Sequence, residues 1–269
     1  MKQIAEIRTS VYGGASFFAA MYLIGASPSL AADVSDPSSQ TDSGWQIYWP
    51  TYLWVAGVNG TTRTLPPLPA SEVDVSFSDS VDALKDLEAG LISTVFAHND
   101  RLLLMGDLNW MRLSPDQSVT LDNQPVKLKF FSESFTLTSA VGYRLVDDEN
   151  FIVDAYVGAK LWYMDNSAEV KPAVVTPNKV DQQETWVDGV VGGQIRSNTT
   201  DHVFVNAVGF VGAGGSKFFG DVYGGVSYQF NEKWDAFAGY RVMHVERENG
   251  SFLYDITQHG PLFGVAVKF

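Results

Sequence analysis

The sequence of 269 residues contains no cysteine and has little positive charge. Without cysteine the chain can form neither a disulfide framework nor a thiolate metal site, so its stability must come from backbone pairing and packing. Its 18 Lys and Arg residues are outnumbered by 31 Asp and Glu residues, which gives a formal net charge of -13. Because binding to nucleic-acid phosphates requires clustered Lys and Arg, this balance argues against a nucleic-acid partner.

Long apolar runs are confined to the N-terminus. A short segment with Lys2 and Arg8 precedes an apolar stretch from about residue 11 to 26, and small residues follow around residues 29–31. This order is typical of a secretory signal peptide, and glycines in the apolar stretch weaken the alternative of a membrane anchor. The sequence therefore predicts a cleaved signal peptide over 1–31, a flexible lead-in over 32–44 and one folded domain over 45–269.

After the N-terminus the recurring hydrophobic period is two. Residues 151–163 alternate between an apolar face, from Phe151 to Tyr163, and a face that carries Asp154 and Lys160. The same alternation recurs along the chain up to the last residue. Because successive side chains of a strand point to opposite faces, this pattern predicts β-strands with one apolar face each.

The connections between these strands alternate between short and long. Short polar turns such as HNDR, DDEN, NTTD and NEKW separate the longer segments 59–87, 114–125, 165–184, 212–217 and 246–251. This order predicts an antiparallel meander of about ten strands, each close to the ~9 to 11 residues that a tilted membrane strand needs. The count rises toward twelve if VDVSF in the segment 59–87 pairs fully, and it falls to eight if the outermost pair of strands lies outside the membrane.

The composition of the second faces separates a membrane barrel from a soluble one. A soluble barrel would expose Lys, Glu and Gln to water, whereas these faces hold Gly, Ala, Ser, Thr and Tyr with isolated charges. Because only a closed sheet satisfies every backbone group in lipid, we expect an all-β, closed antiparallel transmembrane up-and-down barrel with its apolar faces outward. Aromatic residues that fit girdles at the two membrane interfaces are Trp110, Tyr143, Phe151, Tyr163, Phe230 and Phe269.

The isolated charges of the second faces are candidate interior residues. A charge inside a narrow barrel is costly unless it is paired, so we expect a salt-bridge network that plugs the passage. The alternative is an open aqueous pore. The predicted members of this lumen network are Asp107, Arg144, Asp154, Lys160, Asp188, Arg196, Asp221 and Arg241.

The last ten residues, GPLFGVAVKF, form one further alternating strand that ends on an aromatic residue. This strand resembles the C-terminal signature of Gram-negative outer-membrane barrels, in which a terminal aromatic residue is recognised by the barrel assembly machinery. The resemblance implies that Phe269 is both an interface anchor and an assembly tag. The alternating apolar residues that carry the signature are Phe263, Val265, Val267 and Phe269.

More broadly, segments such as GWQIYWPTYLWVAGVNGT and WVDGVVGGQIR resemble a largely uncharacterised family of proteobacterial outer-membrane β-barrel proteins. The resemblance covers nearly all of the chain after the signal peptide and implies export to the bacterial outer membrane. Outer-membrane lipids, lipopolysaccharide and the barrel assembly machinery are then the expected partners of a monomeric protein. The family supplies no catalytic motif to carry over.

Histidines are the remaining candidates for chemistry. His259, with Asp255 and Ser251 upstream, is a candidate catalytic group close to the outer rim of the barrel, but the alternation places His259 on the lipid side and no Ser-x-His pair is present. We expect an interfacial histidine and no enzymatic activity. No His or Cys pair has metal-ligand spacing, so neither a metal nor a cofactor is expected. The other histidines are His98, His202 and His244.

Three classes of function remain. The leading one is a structural barrel protein or narrow, low-conductance pore, because about ten strands leave a lumen that side chains largely fill. The others are a loop-mediated ligand-binding or adhesion protein and an outer-membrane enzyme that acts on lipid or peptide. The sequence does not identify a transported solute or a ligand.

Overall fold

The computed structural model describes residues 44–66, 68–83, 86–114, 116–121, 124–171 and 179–269. The predicted signal peptide and nearly all of the lead-in lie outside the described residues. The elements are β1 (Gln46–Trp54), β2 (Gly57–Arg63), β3 (Ser71–Val75), α1 (Phe77–Ala83), β4 (Leu87–Asn99), β5 (Leu102–Leu113), β6 (Asp116–Leu121), β7 (Gln124–Asp147), β8 (Phe151–Lys171), β9 (Lys179–Asn198), β10 (Val203–Gly214), β11 (Phe218–Gln229), β12 (Trp234–Asn249) and β13 (Phe252–Lys268).

The strands form one closed antiparallel barrel. Pairing runs from β1 through β4, β5 and β7 and then in chain order to β13, which pairs back with β1 and β2. β1 and β2 pair one after the other along the same edge of β13, so they are two halves of one wall strand. The wall therefore has ten strands, and the prediction of an all-β, closed up-and-down barrel is confirmed.

The chain termini close this wall. The N–H of Phe269 donates to the carbonyl of Ile47, and the N–H of Ile47 donates to the carbonyl of Phe269. The rim that holds these two residues and the short turns after β4, β7, β9 and β11 is called the near end, and the opposite rim is the far end. Of the predicted C-terminal signature, Phe263, Val265 and Phe269 are exposed on the outer surface.

The long far-end segments contain more strand than expected. β8 and β9 pair as far as Glu169 opposite Lys179, so most of the predicted loop 165–184 is strand. The predicted loop 114–125 contains β6, which pairs with β7. Both extensions are polar, and they escaped prediction because neither carries the apolar face by which the other strands were recognised.

The segment 59–87 begins within β2, which is the far half of the first wall strand, and continues into β3 and α1. β3 pairs with β2 alone, so this additional strand leaves the wall at ten strands. α1 begins after Ser76, whose N–H donates to Asp79 Oδ2 while its hydroxyl accepts from the N–H of Asp79. This reciprocal cap starts the helix, and its hydrogen bonds hold the pKa of Asp79 below its usual value. No helix in the described part of the chain has the length and hydropathy to cross a membrane.

The alternating faces point as the periodicity predicts. Val157, Val191 and Val226 are more than half exposed on the outer surface, whereas Lys160 and Asp188 are almost fully buried inside. The wall thus presents apolar side chains outward and encloses its charges. This arrangement is the reverse of a water-soluble barrel, which buries its apolar face.

Glycines on the inner face make room for aromatic rings. The ring of Tyr223 lies over Gly225 and Gly239, and a Cβ at either glycine would collide with it. A ring that lies flat against the wall fills a narrow interior without crossing it. The same arrangement pairs Tyr156 with Gly142, Phe210 with Gly192, and Phe237 with Gly264.

Candidate functional site

The middle of the barrel interior holds four charged side chains from four strands. They are Asp107 on β5, Lys160 on β8, Asp221 on β11 and Arg241 on β12, and together they are called the charged layer. Asp107, Lys160 and Arg241 are buried. All four were predicted on the inner face, because alternation fixes the direction in which a side chain points.

Arg241 joins opposite parts of the wall. Its Nε donates to Asp221 Oδ1 at 2.9 Å and its Nη2 to Asp221 Oδ2 at 2.5 Å, which is a two-pronged ion pair. Asp107 Oδ2 lies 3.7 Å from the same Nη2, and Nη1 donates to the hydroxyl of Tyr52 at 2.8 Å. One guanidinium therefore contacts β1, β5 and β11 across the interior.

Asp107 extends these bonds to a further strand. Its Oδ1 accepts from the hydroxyls of Thr94 on β4 at 2.7 Å and of Tyr52 on β1 at 3.2 Å, and its Oδ2 accepts from Asn109. With Arg241 beside it, this buried carboxylate has four hydrogen-bonding or ionic partners. Tyr52 and Thr94 were missed by sequence reasoning, because a tyrosine or threonine in an alternating strand carries no sign of its partner.

Lys160 is held without a direct carboxylate contact. Its Nζ donates to Thr138 at 3.1 Å and lies 4.9 and 5.2 Å from the ring centroids of Trp162 and Phe219. Within the described ranges, no Asp or Glu oxygen lies within 4 Å of this ammonium group. Cation–π contacts therefore supply part of the compensation that we expected from an ion pair.

The other predicted lumen charges lie apart from this layer. Arg144 and Asp154 form an ion pair of 3.0 Å at the near end. Arg196 stacks on Phe204, with 3.7 Å between the guanidinium carbon and the ring centroid, and bonds Asn198. The eight predicted residues thus fall into separate groups, because alternation gives the face of a residue and not its height in the barrel.

One buried ion pair involves a carboxylate that the predicted network omits. Asp235 is fully buried, and its Oδ1 lies 3.0 Å from Lys268 Nζ near the chain terminus. Arg241 lies six residues after Asp235 on β12. Because six is an even number, the two side chains point to the same inner face. That register could have identified it from sequence.

At the far end, the short loop between β10 and β11 bonds to side chains of the interior. Asp188 accepts from the N–H and the hydroxyl of Ser216, both at 2.7 Å, and from Trp162 Nε1 at 2.9 Å. Trp162 and Trp186 stack with 5.4 Å between their ring centroids, and Trp186 Nε1 donates to the Ser216 hydroxyl. Trp162, Trp186, Asp188 and Ser216 are together called the far-end cap.

Two cavities lie on either side of the charged layer. The near-end chamber has a cavity volume of about 110 Å³ and the far-end chamber one of about 60 Å³, and Arg241 lines both. The near-end chamber is lined mainly by apolar and aromatic side chains. They include Phe96, Met105, Phe210, Phe219, Phe237 and Leu262.

The histidines do not form the candidate catalytic group of His259, Asp255 and Ser251. His259 Nδ1 lies 2.7 Å from the hydroxyl of Tyr240 on the outer surface. Asp255 instead approaches His244, with 4.0 Å between its carboxylate oxygen and Nε2, and His244 Nδ1 lies 3.0 Å from Thr257 Oγ1. In the described part of the chain, no group of three or more His, Asp or Glu residues could hold a metal ion.

Comparisons with known proteins give structural likeness without a sequence family. No protein-family model and no curated protein matches the chain. The translocator domain of the autotransporter NalP from Neisseria meningitidis has a TM-score of 0.46 and 11% identity, over 83% of this chain and 88% of that one. The outer membrane protease OmpT from Escherichia coli has a TM-score of 0.39 and 8% identity, over 83% and 96%.

Ail, the attachment invasion locus protein of Yersinia pestis, has a TM-score of 0.33 and 10% identity, over 84% of this chain and 99% of that one. These three proteins come from different bacteria. At these identities the likeness concerns the barrel fold alone and assigns no role to this chain.

Proposed function

We propose that this chain is an integral outer-membrane β-barrel protein whose interior is closed to bulk solute flow. The observation that carries the proposal is the bonding of Arg241 to Asp221, Asp107 and Tyr52 across the middle of the interior. An ion that crosses the barrel must separate these groups or pass between them. The protein therefore acts as a structural barrel or a low-conductance pore.

The outer surface supports the membrane assignment. Exposed valines cover the middle of the wall, and aromatic residues lie on the outer surface around the near end. Such a girdle suits the boundary between lipid tails and water. In this proposal the near end faces the periplasm, and the exported chain is inserted by the barrel assembly machinery through its C-terminal strand. The near-end aromatic residues include Trp49, Tyr143, Phe151, Tyr228, Phe230, Trp234 and Phe269.

The proposal includes no catalytic activity. Thr257, His244 and Asp255 bring a hydroxyl, an imidazole and a carboxylate together, but the imidazole and the carboxylate are 4.0 Å apart. Both side chains are also about a third or more exposed, so little in their surroundings would activate a nucleophile.

Planar-bilayer recording of the purified protein tests the proposal. We expect the wild type to show small or rare current steps and Arg241→Ala to show larger ones, because the variant removes the group that bridges the interior. Lys233→Ala is the matched control, since it removes an exposed lysine from a near-end turn. A large, steady wild-type conductance that Arg241→Ala leaves unchanged would contradict a closed interior.

A further inference from the structure

The barrel wall has one seam where the backbone ladder is short. β1 and β4 pair only from Gln46 opposite His98 to Tyr48 opposite Phe96. The neighbouring β4–β5 ladder runs along all of β4. Beyond Tyr48, the rest of β1 and the rest of β4 have no ladder pairs with each other among the described residues.

A proline explains where this ladder stops. Ile47 exchanges both backbone hydrogen bonds with Phe269, so odd residues of β1 bond to β13 and even residues face β4. The register that places Tyr48 opposite Phe96 would place Pro50 opposite Thr94. Proline has no N–H to donate to a ladder, so the β1–β4 pairing cannot continue through Pro50.

Side chains bridge the seam where the ladder is missing. On the outer surface, Trp49 Nε1 on β1 donates to Ser93 Oγ on β4 at 2.8 Å. On the inner surface, Asp107 accepts from Tyr52 on β1 and from Thr94 on β4. Tyr52, Thr94 and Asp107 are together called the seam latch, and Arg241 of the charged layer supports it.

The near-end chamber lies directly behind this seam. Pro50 and Tyr52 from one side of the seam and Thr94 and Phe96 from the other line the chamber. On the outer surface, Trp49, Leu91 and Val95 are exposed beside the same seam. An apolar cavity and the proposed bilayer are therefore separated by the part of the wall with the fewest backbone hydrogen bonds.

We propose that the near-end chamber binds a small aromatic molecule, which exchanges with the bilayer through the β1–β4 seam when the seam latch opens. Phe96, Phe210 and Phe237 supply apolar ring surfaces, and Gln194 and Asn206 supply polar groups for one hydroxyl on the ligand. Such a molecule concentrates in lipid, because removing apolar surface from water is favourable by about 25 cal/mol per Å².

The seam is the physically favoured route because opening it breaks mainly side-chain bonds. Separating β8 from β9 would instead break a ladder that runs from Phe151 to Glu169 on β8. This inference rests on the proposed membrane-spanning barrel, but it concerns the exchange of a bound molecule and not ion conductance. A large conductance would therefore overturn the proposed closure without changing the exchange kinetics described below.

A disulfide across the seam tests the route. If the register of the three ladder pairs is continued, Thr51 comes opposite Ser93 across the seam, and the native chain has no cysteine to interfere. The full chain carrying Thr51→Cys and Ser93→Cys is reconstituted in lipid nanodiscs, and binding of 1-naphthol is followed by stopped-flow fluorescence. The control variant carries Val157→Cys and Val191→Cys, which lie opposite each other on the fully paired β8–β9 wall.

Oxidation of the seam variant should slow both association and dissociation of 1-naphthol by about tenfold or more and leave the Kd unchanged, because a closed gate blocks both directions equally. Reduction should restore both rates, and the control disulfide should have no effect. If 1-naphthol binds at rates that the seam disulfide does not change, the ligand enters at the near-end mouth and the proposed route is wrong. No saturable binding by the wild type would overturn the chamber site itself.

Variants of the seam latch test the opening of the seam without a cross-link. Thr94→Val and Tyr52→Phe each remove one hydroxyl donor to Asp107 and keep the shape of the side chain. Each should raise both exchange rates by about threefold to tenfold, as the loss of about one hydrogen bond would. Thr138→Val is the matched control, because Thr138 is a buried threonine that bonds Lys160 and not the latch. Equal rates in Thr94→Val and Thr138→Val would overturn the latch.

Discussion

The β8–β9 wall and the β1–β4 seam belong to one barrel but are held by different kinds of bond. β8 and β9 pair without interruption from Phe151 opposite Ser197 to Glu169 opposite Lys179. β1 and β4 have three laddered pairs, and beyond them the contacts are made by Trp49, Ser93 and the seam latch. The difference shows that a barrel wall can be closed by buried side chains where proline interrupts its backbone ladder.

The largest expected effect is the loss of the carboxylate that the seam and the charged layer share. Asp107→Ala leaves Tyr52 and Thr94 without their acceptor and Arg241 with one carboxylate fewer. We expect a loss of about 3 to 5 kcal/mol in the free energy of unfolding, as for breaking a buried ion pair. Urea unfolding in detergent micelles, followed by gel mobility, measures it.

Glu232→Ala is the control for this variant, because Glu232 is an exposed carboxylate in a near-end turn. If Asp107→Ala and Glu232→Ala unfold at the same urea concentration, the charged layer does not stabilise the barrel.

A second variant tests packing within the continuous wall. Gly239→Ala places a methyl group against the ring of Tyr223 and the backbone of β11, so we expect a loss of about 1 to 3 kcal/mol. Gly224→Ala is the matched control, since a Cβ there meets no heavy atom within 4 Å. Equal unfolding of the two variants would mean that the interior rings move aside without cost.

A third variant is designed to make the seam resemble the wall. Pro50→Val restores an N–H on the side of β1 that faces Thr94, and we expect a gain of about 0.5 to 1.5 kcal/mol from the added hydrogen bond. Thr51→Val is the control, because residue 51 faces β13 and already lies in that ladder. Destabilisation by Pro50→Val would contradict the explanation that the missing donor ends the ladder.

The sequence predicts some properties of the barrel and not others. Alternation gave the strands, their inner and outer faces and the inward direction of Asp107 and Arg241, because the strand period is a local property of the sequence. It could not give the heights at which Arg144 and Arg196 lie, so it joined them to a network from which they are separate. The seam depends on which edge of β1 Pro50 occupies, and that requires the register with β13.

The smallest expected effect concerns an exposed ion pair at the far rim. Lys217 donates to Glu248 at 2.6 Å, which raises the pKa of Lys217 and lowers the pKa of Glu248. The contribution of Glu248 is present above its unfolded-state pKa and is lost as the pH falls through its lower folded-state pKa. Because both side chains are about half exposed, Glu248→Gln should leave the urea midpoint at neutral pH unchanged within error. A clear shift would mean that far-rim charges help to hold the barrel.

Amide hydrogen exchange measured by NMR in detergent micelles tests the comparison between wall and seam most directly. The account predicts that the amides of Tyr52 and Ile92, which lie beyond the short β1–β4 ladder, exchange at least about tenfold faster than those of Val157 and Val191. It also predicts that Asp107→Asn accelerates exchange at Tyr52 and Ile92 and leaves Val157 and Val191 unchanged. Equal protection at all four positions, in the wild type and in the variant, would contradict a seam held by side chains.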